Sequence, residues 1–138
     1  MADYPDELVR TRHLFDGSEV LIRPIRPEDA PMEQDFVQHL SADSRYRRFM
    51  STLVVLAPGK PRSPSEIDYV RHLALVAIIQ RDGHEVEIGV ARYVAGPSGP
   101  DCEFAIAIDD EWQGSGVAGI LMLTLIDAAR ARGMQRME

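Results

Sequence analysis

The sequence has little cysteine and no long apolar run. With one cysteine, Cys102, among 138 residues, the chain cannot form an internal disulfide, which fits a reducing cytoplasm. Its longest apolar runs, residues 73–79 and 117–123, fall far below the ~20 residues that span a bilayer. Residues 1–10 carry three acidic side chains and no apolar core, unlike a signal peptide. We therefore expect a soluble, cytoplasmic protein that has no membrane partner.

Cationic side chains are also scarce. Fifteen Lys and Arg against 22 Asp and Glu give a net charge of −7. Nucleic acids bind proteins that have a surplus of cations, so we expect no nucleic-acid partner, whereas cationic partners such as amines or lysine-rich proteins are favoured. The four histidines lack metal-ligand spacing, which predicts no metal site. Length and composition are those of one globular domain.

The first third of the chain reads as a strand followed by helices. Residues 20–23 are strand-like and end at Pro24. Pro27 suits the first turn of a helix, in which Met32, Phe36 and Leu40 recur at i, i+4 and i+8 and form one buried stripe. Further helices are predicted over residues 44–50 and 65–72.

A period of two then predicts three antiparallel strands. Residues 75–80 form the first, and Asp82-Gly83 is a typical hairpin turn. Alternation places a set of side chains of the second strand on one face: Val86, Ile88, Val90, Arg92 and Val94.

The third strand and the helix after it complete the pattern. In the strand, Cys102, Phe104, Ile106 and Ile108 share one face, and Glu103, Ala105 and Ala107 share the other. An apolar helix over residues 116–132 follows and ends at Gly133.

The segment between that strand and that helix, residues 109–119, carries the chemistry. Its glycines let the backbone approach a ligand, and the unpaired N–H groups and the dipole of the first helical turn favour a diphosphate. The alternative is that the glycines serve only close helix–sheet packing. Residues 114–119 also match the GxGxxG motif of dinucleotide-binding folds. We reject that interpretation because the preceding strands form an antiparallel meander, because five residues separate the strand from Gly114, and because too few residues follow for the other parallel strands.

Residues 113–118, QGSGVA, match the Gln/Arg-x-x-Gly-x-Gly/Ala loop of the GNAT N-acetyltransferases, and the order of elements resembles that family. Residues 21–30 and 44–49 resemble the GNAT module of bacterial protein lysine acetyltransferases. The resemblance implies an α+β fold, with a mixed, mostly antiparallel central sheet flanked by helices. It further implies one partial GNAT domain over residues 1–138, in which residues 1–18 are an N-terminal extension and the C-terminal strands are missing.

The resemblance also implies acetyl-CoA as co-substrate and a primary amine, a protein lysine, as acceptor. Backbone N–H groups of the loop would hold the pyrophosphate, and the backbone of the preceding strand would pair with the pantetheine arm as an added strand does. The loop residues are Gln113, Gly114, Ser115, Gly116, Val117 and Ala118, and the strand residues are Ala105, Ile106, Ala107 and Ile108.

Glu103 is the candidate catalytic base. A lysine amine has a pKa near ~10.4 and arrives protonated, so it must lose a proton before it attacks the thioester. By resemblance, several family members carry a catalytic glutamate in this strand, and the small Ala105 and Ala107 leave room for substrate. The alternative is that Glu103 is a solvated residue on an open sheet face.

Two departures from the family pattern qualify the activity. Position 115 is Ser where the family often has Arg or Lys, and no tyrosine follows the long helix to protonate the thiolate. Residues 134–138 could begin the family's fifth strand beside the third meander strand, could pair with another subunit or could lie loose. An unpaired edge favours a homo-oligomer that completes the sheet. A non-catalytic acyl-CoA-binding or regulatory module therefore remains the alternative function.

Overall fold

The computed structural model describes residues 4–40, 69, 71–96 and 101–137. These ranges contain two α-helices and six strands, with short 3-10 turns at Asp6–Leu8, Pro27–Asp29 and Asp110–Trp112. In chain order the elements are β1 (Arg10–His13), β2 (Glu19–Pro24), α1 (Ala30–Gln38), β3 (His72–Arg81), β4 (His84–Ala95), β5 (Asp101–Ile108), α2 (Val117–Ala131) and β6 (Arg136–Met137).

The strands form one sheet in the order β1-β2-β3-β4-β5-β6. All neighbours are antiparallel except β5 and β6, which are parallel. This arrangement confirms the predicted mixed, mostly antiparallel sheet with helices. The predicted helix over residues 44–50 lies outside the described residues, as do residues 65–68 of the next one. His72, which was placed at the end of that helix, instead begins β3.

Each face of the sheet has its own core. On one face, Leu121 and Leu125 of α2 are fully buried against strand residues such as Tyr93. On the other face, Phe36 of α1 packs with the side chains of β3, β4 and β5, and the predicted partners of its stripe, Met32 and Leu40, are partly buried beside it. Full burial of a leucine side chain contributes roughly 1.5–3 kcal/mol, so both helices are held to the sheet mainly by apolar contact.

A β-bulge in β4 corrects the predicted alternation of that strand. Ala77 pairs with Gly89 and Ile78 with Glu87, which leaves Ile88 as an extra residue. Val86 and Ile88 pack on the α2 face, whereas Val90 packs on the α1 face. The prediction that residues 86 to 94 present one face is therefore wrong, because the inserted residue shifts the period of two by one.

Two predicted turns use backbone that favours glycine. Asp82 and Gly83 both have positive φ, +53° and +78°, as a two-residue hairpin turn between β3 and β4 requires. Gly133 has φ +89° directly after α2, which confirms the predicted end of the helix.

The N-terminal segment contributes a strand that the sequence analysis did not predict. β1 pairs along its whole length with β2, from Arg10 opposite Ile22 to His13 opposite Glu19. Buried Leu8 and Leu14 flank the strand on both sides and attach it to the core under α2. Residues 10–18 are thus part of the sheet and its first hairpin.

Two kinds of feature are absent from the ranges that the structure describes. Neither helix there has the length and apolarity that a membrane crossing requires. No group of three His, Cys, Asp or Glu side chains within those ranges is placed to hold a metal ion.

Candidate active site

The glycine loop turns the chain sharply from β5 into α2. After the 3-10 turn Asp110–Trp112, Gly114 and Gly116 both adopt positive φ, +80° and +99°, and α2 begins at Val117. The Asp109 side chain accepts a hydrogen bond from the Glu111 N–H at 2.9 Å and so caps the 3-10 turn. The loop sequence therefore presents the first amides of α2 at the end of β5.

Three amides of the loop are free to bind a ligand. The N–H groups of Gly114, Gly116 and Ala118 donate to no atom among the residues that the structure describes. The other three amides of the loop form long internal hydrogen bonds, at 3.5 Å from Gln113, 3.3 Å from Ser115 and 3.4 Å from Val117. Free N–H groups at the positive end of a helix dipole stabilise an anion.

The edge of β5 is open beside this loop. β6 pairs with β5 only through Asp101 opposite Arg136 and Cys102 opposite Met137. Residues 103–108 therefore have no strand partner on that side among the described ranges. This pairing decides where the chain runs after α2: of the three alternatives, it lies beside β5, parallel to it.

Glu103 stands on this open strand, on the face below α1. Its side chain is exposed, and it pairs across the sheet with Val94. Ala105 and Ala107 pack on the same face in the α1 core, whereas Phe104, Ile106 and Ile108 pack under α2, which confirms the predicted faces of this strand. Glu103 lies five residues, about 16 Å of extended chain, from Ile108 beside the loop.

A cavity of about 460 Å³ lies against the loop, with Ile108 and Trp112 among its lining residues. Phe15, from the β1–β2 turn, forms another wall. Its N–H donates to the Ser115 carbonyl at 3.0 Å, and its ring carbons lie 3.1 Å from the position of a Cβ on Gly116. Phe15 is not among the residues that the sequence predicts for the site, although the Asp16-Gly17 pair before β2 is typical of a hairpin turn.

Charged side chains are buried on the sheet face below α1. Arg23 donates to both carboxylate oxygens of Asp29, at 2.6 and 2.8 Å, and Arg92 lies 3.9 Å from Glu33. Buried charges are tolerated when they are paired in this way.

Glu87 completes this group. It is only 4% exposed, and its carboxylate oxygens accept no hydrogen bond from an N–H or O–H group of the described residues. Burial raises the pKa of Glu87 well above its ordinary value, and the neighbouring Glu33 carboxylate raises it further, while Arg92 opposes both effects. Glu87 is therefore a buried carboxyl group that favours its neutral form.

Comparison with known proteins agrees with this geometry. The model of the acetyltransferase (GNAT) family matches residues 35–138. The chain is 40% identical over 124 residues to Acetyltransferase PA5475 of Pseudomonas aeruginosa, covering 90% of this chain and 67% of that protein. It is 30% identical over 123 residues to Acetyltransferase Pat of Mycolicibacterium smegmatis, covering 87% of this chain but only 35% of that protein.

A solved structure shares the fold along almost the whole chain. The GNAT domain of S. lividans PAT superposes with a TM-score of 0.71 at 26% identity, covering 98% of this chain and 79% of that domain. The family match, the relatives and the shared fold agree with the loop that the sequence singles out. The chain therefore belongs to the acetyltransferase (GNAT) family, whose enzymes transfer acyl groups from coenzyme A.

Proposed function

We propose that the chain transfers the acetyl group of acetyl-CoA to the side-chain amine of a protein lysine. The observation that carries this proposal is the placement of two features along one strand. The three free amides of the loop lie at one end of the open β5 edge, and Glu103 lies at the other. A ligand that has a diphosphate at one end and a reactive group at the other fits this arrangement.

In this proposal the loop residues 113–118 hold the pyrophosphate. Backbone N–H groups supply the hydrogen bonds and the α2 dipole supplies the favourable potential, so no lysine is needed. The open backbone of residues 105–108 pairs with the amides of the pantetheine arm, as an added strand pairs with a sheet edge. Acetyl-CoA supplies the acyl group as a thioester near Glu103.

Glu103 removes the proton that the acceptor amine carries at neutral pH. Its carboxylate is exposed on an open face, so an incoming ammonium can reach it directly or through one water. Ala105 and Ala107, the next residues on the same face, are buried in the α1 core, so the acceptor reaches Glu103 from the exposed end of this face. The neutral amine can then attack the thioester carbon. The C–S bond breaks, CoA leaves as its thiolate, and the proton that the new amide nitrogen loses passes through solvent to that thiolate.

A protein lysine is the acceptor that the sequence favours. The net charge of −7 attracts cationic partners, and a lysine-rich surface is one of them. The resemblance of residues 21–30 to the module of bacterial protein lysine acetyltransferases points to the same substrate class. We place this reaction in the cytoplasm, where the buried thiol of Cys102 stays reduced.

Release of CoA from acetyl-CoA tests the proposal. Wild type, incubated with lysine peptides, small polyamines and free amino acids in turn, should react fastest with the peptides. Glu103→Gln should lower kcat by roughly 10²–10⁴-fold, the range for loss of a general base. Calorimetry should find its affinity for acetyl-CoA within about twofold of wild type, since Glu103 makes no contact with the loop.

Glu85→Gln is the matched control. Glu85 is an exposed glutamate at the far end of β4, and removing its charge should leave kcat unchanged. Equal rates for Glu103→Gln and wild type would exclude Glu103 as the base. Binding of acetyl-CoA without CoA release by wild type would identify a non-catalytic acyl-CoA-binding module instead.

A further inference from the structure

The N-terminal segment follows α2 from end to end in the opposite direction. At one end the Phe15 N–H donates to the Ser115 carbonyl, at 3.0 Å. At the other end Glu7 pairs with Arg132 at 3.5 Å. From Glu7 to Phe15 the chain advances eight residues, about 26 Å if fully extended, and from Gly116 to Arg132 it advances sixteen, about 24 Å as helix. The segment from Glu7 to Phe15 therefore runs beside α2 over nearly the full length of the helix.

A groove of about 660 Å³ lies between them. Arg10 and Arg12 of β1 line it on one side, and Ile120, Leu123 and Thr124 of α2 are among the residues on the other. Both arginines pair across the sheet with residues of the α2 core, so they lie on the α2 face.

The two arginines differ in their surroundings. The spacing of β1 along α2 places Arg12 beside the second turn of the helix, close to the glycine loop. It places Arg10 beside Asp127, the acidic residue that also lines the groove. Arg12 is thus the groove cation nearer to the loop.

Arg12 is also one of the described arginines that pair with no carboxylate. The arginines at positions 23, 81, 92, 132 and 136 each pair with a carboxylate, whereas Arg12 has no ion pair within the described ranges. The loop and the residues that flank it, 109–119, contain no cationic side chain. An unpaired cation beside such a loop, in a chain of net charge −7, is available to an anionic ligand.

Phe15 lies between this cation and the loop. Its side chain is 85% exposed, yet its ring packs over Gly116 and its backbone is fixed by the bond to Ser115. An exposed aromatic ring that is held in place offers a flat apolar face to a planar group.

We propose that the β1–β2 hairpin binds the 3′-phosphoadenosine end of CoA, with Phe15 against the adenine and Arg12 at the 3′-phosphate. This inference rests on the proposed function, since the pyrophosphate on the loop amides sets the start of the adenosine. From there the ligand continues past Phe15 into the groove. Charge complementarity and continuity with the loop favour this occupant, because the 3′-phosphate is a dianion and the adenine is planar.

Calorimetry with three ligands tests each contact separately. CoA has both groups, 3′-dephospho-CoA lacks the 3′-phosphate, and 4′-phosphopantetheine lacks the whole 3′-phosphoadenosine together with one phosphate of the diphosphate. Arg12→Gln should weaken CoA about tenfold and leave 3′-dephospho-CoA within twofold, as expected for one charge-assisted contact. Phe15→Ala should weaken CoA and 3′-dephospho-CoA about tenfold each and leave 4′-phosphopantetheine unchanged.

Arg130→Gln is the matched control. Arg130 is an exposed arginine in the last turn of α2, far from the loop, so its loss should change none of the three affinities. Both test residues are exposed, so we expect both variants to fold. A loss of binding would then reflect the lost contact with the ligand.

Two results would overturn the inference. If Arg12→Gln lowers the affinities for CoA and 3′-dephospho-CoA equally, Arg12 does not contact the 3′-phosphate. If Phe15→Ala binds CoA as tightly as wild type, Phe15 does not contact the adenine. Failure of the diphosphate site on which this inference rests is distinguishable, because wild type would then bind none of the three ligands, and a failure of catalysis alone would leave all three affinities as expected.

Discussion

Gly116 is the residue on which the geometry of the loop depends most. Its φ of +99° is backbone that side chains rarely adopt, and the space above it is already taken by the Phe15 ring. Gly114, with φ +80°, is comparable in backbone but has open space around it. Position 114 therefore favours glycine for its backbone conformation alone, whereas position 116 also favours it because the Phe15 ring lies so close.

Gly116→Ala should destabilise the fold more than Gly114→Ala. Each variant forces an alanine into left-handed backbone, at about 1–2 kcal/mol. Gly116→Ala additionally displaces the Phe15 ring, whose carbons lie 3.1 Å from the new Cβ. Urea unfolding measures the difference between the two variants.

A double-mutant cycle assigns that difference. Combined with Phe15→Ala, which removes the ring, Gly116→Ala should cost no more than Gly114→Ala. If the two glycine variants unfold at the same urea concentration in the wild-type background, the ring does not restrict position 116.

Among the strands, β4 has the least regular geometry. Because of the bulge at Ile88, Val86 lies on the α2 face and Val90 on the α1 face. Gly89 directly follows the extra residue. A Cβ on Gly89 would lie 2.8 Å from Cδ1 of Ile108 and 3.1 Å from Cδ1 of Leu121. The glycine thus lets β5 and α2 approach β4 closely at the point where the loop begins.

Gly89→Ala should therefore destabilise the domain by about 1–3 kcal/mol, the usual range for an overpacked core. Chemical denaturation with urea provides the measurement. Adding Ile108→Val, which removes the closest atom, should restore part of the loss. An unchanged unfolding midpoint for Gly89→Ala would show that the core has room at this position.

The patterns that could be predicted are those set by local sequence. The period of two in β5, the Asp82-Gly83 turn and the apolar run of α2 each specify their structure without distant contacts. The face shift in β4 could not be predicted, because the bulge depends on pairing with β3. β1 was missed for a related reason: its four residues are all exposed, so no alternation of apolar side chains marks it.

The candidate site likewise has a part that local sequence predicts and a part that it does not. The glycine loop and the strand before it have a sequence signature, and the structure adds which of their amides are free. The role of Glu103 stays a prediction. The position of Phe15 over Gly116 brings together residues about 100 positions apart, and no local pattern encodes such a contact.

For the molecule as a whole, the buried carboxyl group of Glu87 links stability to pH. The unfolded chain releases this proton near the ordinary value, whereas the native state retains it until the raised pKa is reached. Between the two values the native state binds more protons, so stability falls as pH rises. Glu33 of α1, Arg92 of β4 and Asp29 are the charged groups that act on Glu87.

Glu87→Gln should remove that pH dependence. The amide has the same shape and no charge, so the variant should unfold a few degrees above wild type at neutral pH, a gain of about 1 kcal/mol. The two should converge near pH 4.5, where the carboxyl group is neutral in native wild type. Thermal unfolding across pH 4–9 provides the measurement.

Glu85→Gln, two residues earlier in the same strand and exposed, is the control and should follow the wild-type curve. Parallel curves for wild type and Glu87→Gln would show that Glu87 ionises equally easily in the native and unfolded states.

The extra residue in β4 also determines where this strand can change in length. Deleting Ile88 would leave a regular ladder in which Glu87 still faces Ile78 and Gly89 still faces Ala77, so both sides of the strand would be kept and the buried Ile88 side chain would be lost. Inserting a further residue in the middle of the strand would instead exchange the two sides of its remaining part. A single-residue deletion in natural variants is therefore expected at the bulge, whereas insertions should concentrate in the hairpin turns.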